Sequence, residues 1–187
     1  MITIVSGLPR SGTSMMMKMI EAGGIEPLVD NIRKADEDNP KGYYEFERVK
    51  KIDTDASWLD EAEGRVVKMV SMLLKKLPAD RRYKVVFMKR ILDETLASQK
   101  VMLQRLGQPT DDVGDAEMRA LFEKHLAEIQ EWLARQENID VLYVQYNEIM
   151  SDPVAGAAAV NRFLGGGLDE NAMASVVDPT LYRNRAV

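Results

Sequence analysis

Ile2-Thr3-Ile4-Val5-Ser6-Gly7-Leu8-Pro9-Arg10-Ser11-Gly12-Thr13-Ser14 opens the chain, and its reading decides the fold. Ile2 to Val5 is a short β-branched apolar run, the pattern of a buried strand. Ser6 to Thr13 follows with glycine, proline and hydroxyl residues, and Ser14 to Ala22 then carries a helical pattern that Gly23-Gly24 ends. The order is strand, glycine loop, helix. Gly7 and Gly12 stand five apart and a hydroxyl residue follows, the spacing of a phosphate-binding loop. Backbone N–H groups ringed at such a helix start hold an anion without needing a full positive charge. The plainer reading of the same residues is a tight turn between a strand and a helix.

Working outward, Arg65 to Met69, Tyr83 to Met88 and Ile139 to Val144 read as three more buried strands. Helical patterns fill the gaps at Leu92 to Leu106, Asp115 to Gln136, Pro153 to Leu164 and Asp169 to Val177. Strands alternating with helices predict an α/β fold, a three-layer sandwich whose central sheet has four to five mainly parallel strands flanked by helices. Two polar stretches, Glu26 to Tyr44 and Gln108 to Gly114, read as long loops of the kind that form lids or binding loops. Nothing marks a domain boundary, so residues 1–187 are expected to form one domain.

Composition excludes whole classes of chemistry. The chain has no cysteine, which removes disulfides, thiolate metal sites and thiol nucleophiles, and one histidine, His125, which rules out a multi-histidine metal site. Asp36 and Asp38 lack the further ligands of a calcium loop, so no metal is expected. A net charge of −5 and a pI near 5.1 give no basic excess for a nucleic-acid backbone. No apolar run is long enough to cross a membrane, and the expected compartment is the cytoplasm. His125 sits in an amphipathic helical pattern and reads as a structural or surface residue, and Met15-Met16-Met17 with Met19 reads as core.

At the position where nucleoside-triphosphate enzymes carry the loop lysine, this chain has Thr13, and no predicted strand ends in the Asp that would help hold magnesium. Arg10 places a cation earlier in the loop. Such a site suits a 5′-phosphate group met by side-chain cations. A kinase with a deviant loop, and a nucleotide-binding protein without catalysis, remain the alternatives.

Leu8-Pro9-Arg10-Ser11-Gly12-Thr13-Ser14 resembles the 5′-phosphosulfate loop of sulfotransferases that use 3′-phosphoadenosine 5′-phosphosulfate, PAPS. Three further segments resemble the family in its order. Val85 to Arg90, with Ser98 eight positions on, is similar to the 3′-phosphate motif, in which an Arg at a strand end and a Ser in the next helix grip one phosphate. Tyr146-Asn147-Glu148, then Asp152-Pro153 and Phe163-Leu164-Gly165, is similar to the stretch whose tyrosine lies near the adenine. Arg65 to Val70 resembles the strand whose lysine faces the sulfuryl group, here Lys68, but Val70 stands where cytosolic members have their catalytic histidine.

The resemblance implies a P-loop-like fold and sulfuryl transfer from PAPS, without metal, to a hydroxyl or amine of a small molecule. It implies that Pro9, Arg10, Ser11, Gly12, Thr13, Ser14, Arg90, Ser98 and Tyr146 bind the cofactor, and that Arg10 and Lys68 serve as catalytic cations. Arg183 and Arg185 read either as a plain solvated terminus or as a counterpart of the family's basic C-terminal segment, which the resemblance would place over the 3′-phosphate as cofactor-binding residues. With the histidine missing, Glu45 at the end of the long loop is the candidate base, with Lys41 behind it. The acceptor and the oligomeric state are not legible, and a length of 187 residues, short for the family, implies trimmed substrate loops.

Overall fold

The computed structural model describes residues 1–30, 32, 42–108 and 114–182. Its sheet contains β1 (Ile2–Gly7), β2 (Val66–Val70), β3 (Tyr83–Lys89) and β4 (Ile139–Gln145) in the order β2-β1-β3-β4. Every pairing is parallel, with Val5 opposite Lys68 on one side and Val86 on the other. The helices are α1 (Thr13–Ala22), α2 (Leu92–Arg105), α3 (Asp115–Leu133), α4 (Tyr146–Ser151), α5 (Pro153–Leu164) and α6 (Glu170–Ser175).

Strand alternation buries the sheet on both faces. Ile2, Ile4, Val85 and Phe87 join one core with Trp58, Leu74 and the α3 residues Ile129 and Leu133. Val5, Val66, Val86 and Met88 join the other, against α1, Ile149 of α4, Val160 of α5 and Met173 of α6. Full burial of one such side chain stabilises by about 1.5 to 3 kcal/mol. This is the expected three-layer sandwich, and Met16, Met17 and Met19 are wholly inside it.

Strand and helix positions agree with the sequence reading to within a few residues, and α4 is the exception. It follows β4 with no loop between them and no side-chain cap at Gln145, so nothing in sequence marks the start of Tyr146 to Ser151 as a helix. Asp152 then caps α5 by accepting from the Ala155 amide at 3.0 Å, with Pro153 in the first turn.

The long polar stretch begins by running along β2. The Val66 amide donates to the Glu26 carbonyl at 3.0 Å and the Leu28 amide to the Val66 carbonyl at 2.8 Å, which blunts that sheet edge. The middle of this stretch, Lys41 included, and the centre of Gln108 to Gly114 lie outside the described residues. Among the described residues no helix is long and apolar enough to cross a membrane.

His125 has the structural place expected of it. Its Nε2 lies 2.8 Å from Oγ of the buried Ser71, tying α3 to the 3₁₀ turn Ser71–Lys76 that follows β2. Burial, and secondarily the Lys75 charge, holds the imidazole pKa below its ordinary value. The unfolded chain therefore takes up more protons, and stability falls as pH drops through about 6.5. Thermal unfolding between about pH 7.5 and pH 6, above most carboxylate titrations, is expected to show this loss. His125→Gln should flatten the profile in that window, and an unflattened profile would clear His125 of the effect.

Candidate active site

β1 has β2 on one side and β3 on the other, so its carboxyl end is the point where the chain's crossovers part, the usual ligand crevice of an open α/β sheet. The glycine loop lies there. Gly7 has a φ of +150°, and a Cβ on it would come within 2.6 Å of the Met88 carbonyl oxygen. Gly12 has a φ of +95°, and a Cβ there would come within 2.4 Å of Cδ2 of Tyr146. Between them the Ser11 hydroxyl donates to the Leu8 carbonyl at 2.7 Å and closes the loop on itself. The first intrahelical bond of α1 runs from the Met16 amide to the Gly12 carbonyl, so the preceding amides of the first turn have no acceptor within the helix.

A cavity of about 460 Å³ opens over this loop, a size suited to a small-molecule ligand. Pro9, Arg10, Gly12, Thr13 and Ser14 line its floor. Ser11 does not, because its side chain is spent inside the loop.

One end of the cavity is built on Arg90. Val86 and Met88 face the α1 side of the sheet, and the same alternation carries Arg90, just past β3, to that side. Val144 and Tyr146 follow the same rule at the end of β4. The Arg90 guanidinium carbon lies 4.7 Å from the centre of the Tyr146 ring, and Nη1 donates to the Arg10 carbonyl at 3.3 Å. Arg10, itself left-handed at a φ of +71°, donates from Nε to Oγ of Ser98 at 3.0 Å. Ser98 is 4% exposed, brought back beside the strand end by α2.

The other end is built on Lys68. The β1–β2 register puts Lys68 opposite Val5 on the α1 face, beside the first turn of α1. Its Nζ donates to the Tyr43 carbonyl, lies 3.4 Å from Oγ of Ser14 and 3.8 Å from Oε1 of Glu45. The Ser14 hydroxyl also donates to the Tyr43 carbonyl, at 3.3 Å. The end of the long polar stretch is thus anchored to the helix start, which brings Glu45 to the cavity wall. Val70 lines the same wall.

The structure brings Arg10, Arg90, Ser98 and Tyr146 into one corner and Lys68, Glu45 and Ser14 into the other. Arg10, expected at both, has its side chain in the Ser98 corner. Arg183 and Arg185 lie outside the described residues. Sequence reasoning missed Glu94, Asn147 and Tyr182, which stand behind Arg90. Glu94 Oε2 accepts from Arg90 Nε at 2.9 Å and Oε1 accepts from the Tyr182 hydroxyl at 2.8 Å, while Asn147 reaches the same carboxylate at 3.3 Å. The four-residue spacing from Arg90 to Glu94 was the available signal, masked because one residue ends a strand and the other lies in a helix.

The crowding at Gly12 has a measurable consequence. Gly12→Ala combines about 1 to 2 kcal/mol of left-handed strain with about 1 to 3 kcal/mol of overpacking against Tyr146. Gly24→Ala, at a φ of +113° but facing open space, carries only the strain. Urea unfolding of both variants should therefore rank Gly12→Ala clearly the more destabilised, and equal losses would deny the contact with Tyr146.

The sulfotransferase domain family matches residues 2–185 of the chain. No curated protein matches the sequence. Solved structures similar to it include the sulfotransferase domain of the Synechococcus PCC 7002 olefin synthase, at 13% identity and a TM-score of 0.59, covering 96% of this chain and 85% of that one. Sulfotransferase STF1 of Mycobacterium tuberculosis is 17% identical, with a TM-score of 0.59 over 94% of this chain and 70% of that one. Mouse sulfotransferase SULT7A1, solved in complex with PAP, is 16% identical, with a TM-score of 0.55 over 100% of this chain and 67% of that one. The structural likenesses carry the fold, and the family match over residues 2–185 carries membership: the chain belongs to the sulfotransferase family.

Proposed function

We propose that this sulfotransferase moves a sulfuryl group from PAPS to a hydroxyl or amine of a small molecule, working in the cytoplasm. The observation that carries the reading is the pairing, in one cavity, of a glycine loop with an Arg10–Ser98–Arg90 corner. A nucleotide phosphorylated at both its 5′ and 3′ positions has an anion for each. The first-turn amides of α1, which no carbonyl of the helix accepts, and the absence of any acidic residue from the loop itself fit that ligand.

In this reading the loop from Pro9 to Ser14 holds the 5′ end through its backbone, with Ser11 acting on loop shape from inside. Arg10, Arg90 and Ser98 hold the 3′-phosphate, and Tyr146 supports the nucleoside. PAPS, when bound, supplies an activated sulfuryl group with a phosphate leaving oxygen. Lys68 and the first-turn amides of α1 neutralise charge that gathers on that oxygen. Glu45 takes the acceptor's proton as the acceptor atom bonds to sulfur and the bond from sulfur to the phosphate oxygen breaks. The kinase alternative finds little support: Thr13 replaces the loop lysine, and β2, β3 and β4 end in Val70, Lys89 and Gln145 where a metal-holding carboxylate is wanted.

Thermal-shift titration separates the readings. 3′,5′-Adenosine bisphosphate at about 100 times its dissociation constant should add about 2.7 kcal/mol, or about 5 to 10 °C, with 5′-AMP and ADP far weaker. A shift produced by ATP with magnesium instead would install the kinase reading. With PAPS and a panel of alcohols and amines, Lys68→Ala should lower kcat about 10²- to 10³-fold and Glu45→Gln about 10²- to 10⁴-fold. Unchanged turnover in Glu45→Gln would remove the base assignment while leaving sulfuryl transfer in place.

A further inference from the structure

We propose that Tyr182 is a specificity-determining positioning residue for the 3′-phosphate, acting through Glu94 on Arg90; the inference rests on the PAPS reading above. Glu94 is 2% exposed, yet it carries a carboxylate at the crossing of three elements. From α2 it accepts from Arg90 Nε at 2.9 Å, from Asn147 of α4 at 3.3 Å, and from the hydroxyl of Tyr182 at 2.8 Å. The Asn147 amide also donates to the Tyr182 hydroxyl, so that hydroxyl closes a ring of polar contacts behind the guanidinium.

The rings complete the arrangement. Tyr182 packs edge-on against Tyr146, with centroids 5.4 Å apart, and Arg90 lies 4.7 Å from the Tyr146 ring centre and 5.7 Å from that of Tyr182. Arg90 is therefore fixed by Glu94 through Nε, by the Arg10 carbonyl through Nη1, and by two aromatic rings. A planar guanidinium locked in this way presents its fork to an anion in one orientation, and orientation is what separates phosphate binding from diffuse attraction. Tyr182 is the member of this set contributed by the C-terminal segment, which also supplies Val176, Asp178 and Leu181 to the cavity wall. The same segment thus both walls the cavity and backs Arg90.

A positioning role predicts a change in selectivity, whereas a wall-forming role predicts a general loss. The readout is the ratio of dissociation constants for 5′-AMP and 3′,5′-adenosine bisphosphate, measured by isothermal titration calorimetry on the full chain. Tyr182→Phe keeps the ring and deletes the hydroxyl, and it should weaken 3′,5′-adenosine bisphosphate about fivefold to tenfold while leaving 5′-AMP within about twofold, the scale of one ordinary net hydrogen bond. Glu94→Gln should lower the same ratio, and the double variant should lose less than the product of the two, because both act along one path. Tyr182→Phe with the wild-type ratio, or with both nucleotides weakened equally, would overturn the proposal. Should Glu94→Gln fail to fold, Tyr182→Phe decides alone, since Tyr182 is only half-buried. A wild-type chain that shows no preference for the 3′-phosphorylated nucleotide would sink the PAPS reading and this inference together, whereas a wild-type preference that Tyr182→Phe keeps sinks only the inference.

Discussion

The missing side chain at Gly12 is the constraint on which the site depends. Tyr146 rests where a Cβ on Gly12 would stand, so the ring is seated on the loop backbone itself. Arg90 then packs on the ring, Glu94 holds Arg90, and Arg90 in turn reaches the carbonyl of Arg10 in the same loop. The circuit runs from loop to β4 end to β3 end and back to loop. It exists because the parallel order β2-β1-β3-β4 delivers all three strand ends to one edge of the sheet. A side chain at Gly12 would displace the ring and with it the support of the guanidinium, although neither touches the other through covalent chain.

Charge is managed locally in a chain whose net charge is −5. The side chains of Arg90 and Glu94 are 7% and 1% exposed, and removing one partner of such a pair generally costs about 3 to 5 kcal/mol because the other is left buried and uncompensated. Glu94 therefore secures Arg90 but also neutralises much of its charge. A dianion at this corner calls for a second cation, and Arg10, held on Ser98, supplies one. Its left-handed backbone, unusual for a residue with a Cβ, turns the side chain out of the loop toward that corner. The cost of that conformation, about 1 to 2 kcal/mol, is consistent with a residue kept for its direction more than for the fold.

Patterns with a fixed period made the fold legible in sequence. The four strands and five of the helices show as apolar runs or as 3.6-residue repeats, and the two-residue alternation along β1 and β3 already sorts Ile4 from Val5 and Phe87 from Met88 between the two cores. α4 is invisible because it starts directly at the end of β4 with no capping side chain to mark it, whereas α6, equally short, is announced by Asp169. In the site, motif spacing reached Arg10, Arg90, Ser98 and Tyr146 because loop and strand-end residues keep their offsets along the chain. It did not reach Tyr182, whose partner Glu94 lies 88 residues away, or Tyr43, whose contribution is a backbone carbonyl and so carries no signal in its side chain. It also read Ser11 as a ligand residue on position alone, while the hydroxyl turns inward to the Leu8 carbonyl.

On the proposed reading, Val70 leaves the transfer end of the cavity without the histidine that the family resemblance would place there. It lies two residues beyond Lys68 on β2, and strand alternation puts both on the α1 face, so a base at Val70 would share the wall with the lysine. A valine there accepts no proton, and it gives the acceptor side of the cavity an apolar surface. The carboxylate proposed as base arrives from another direction, along the segment that Tyr43 anchors to Lys68 and Ser14. Glu45 and Lys68 then stand 3.8 Å apart, their side chains 20% and 12% exposed. On the proposed reading, an acceptor hydroxyl enters between them and meets the carboxylate that takes its proton. The loop carbonyl, the helix hydroxyl and the strand lysine are thus a scaffold for the glutamate as much as a site for the leaving group. That is why the catalytic assignment of Glu45 stands or falls with the anchoring of Tyr43.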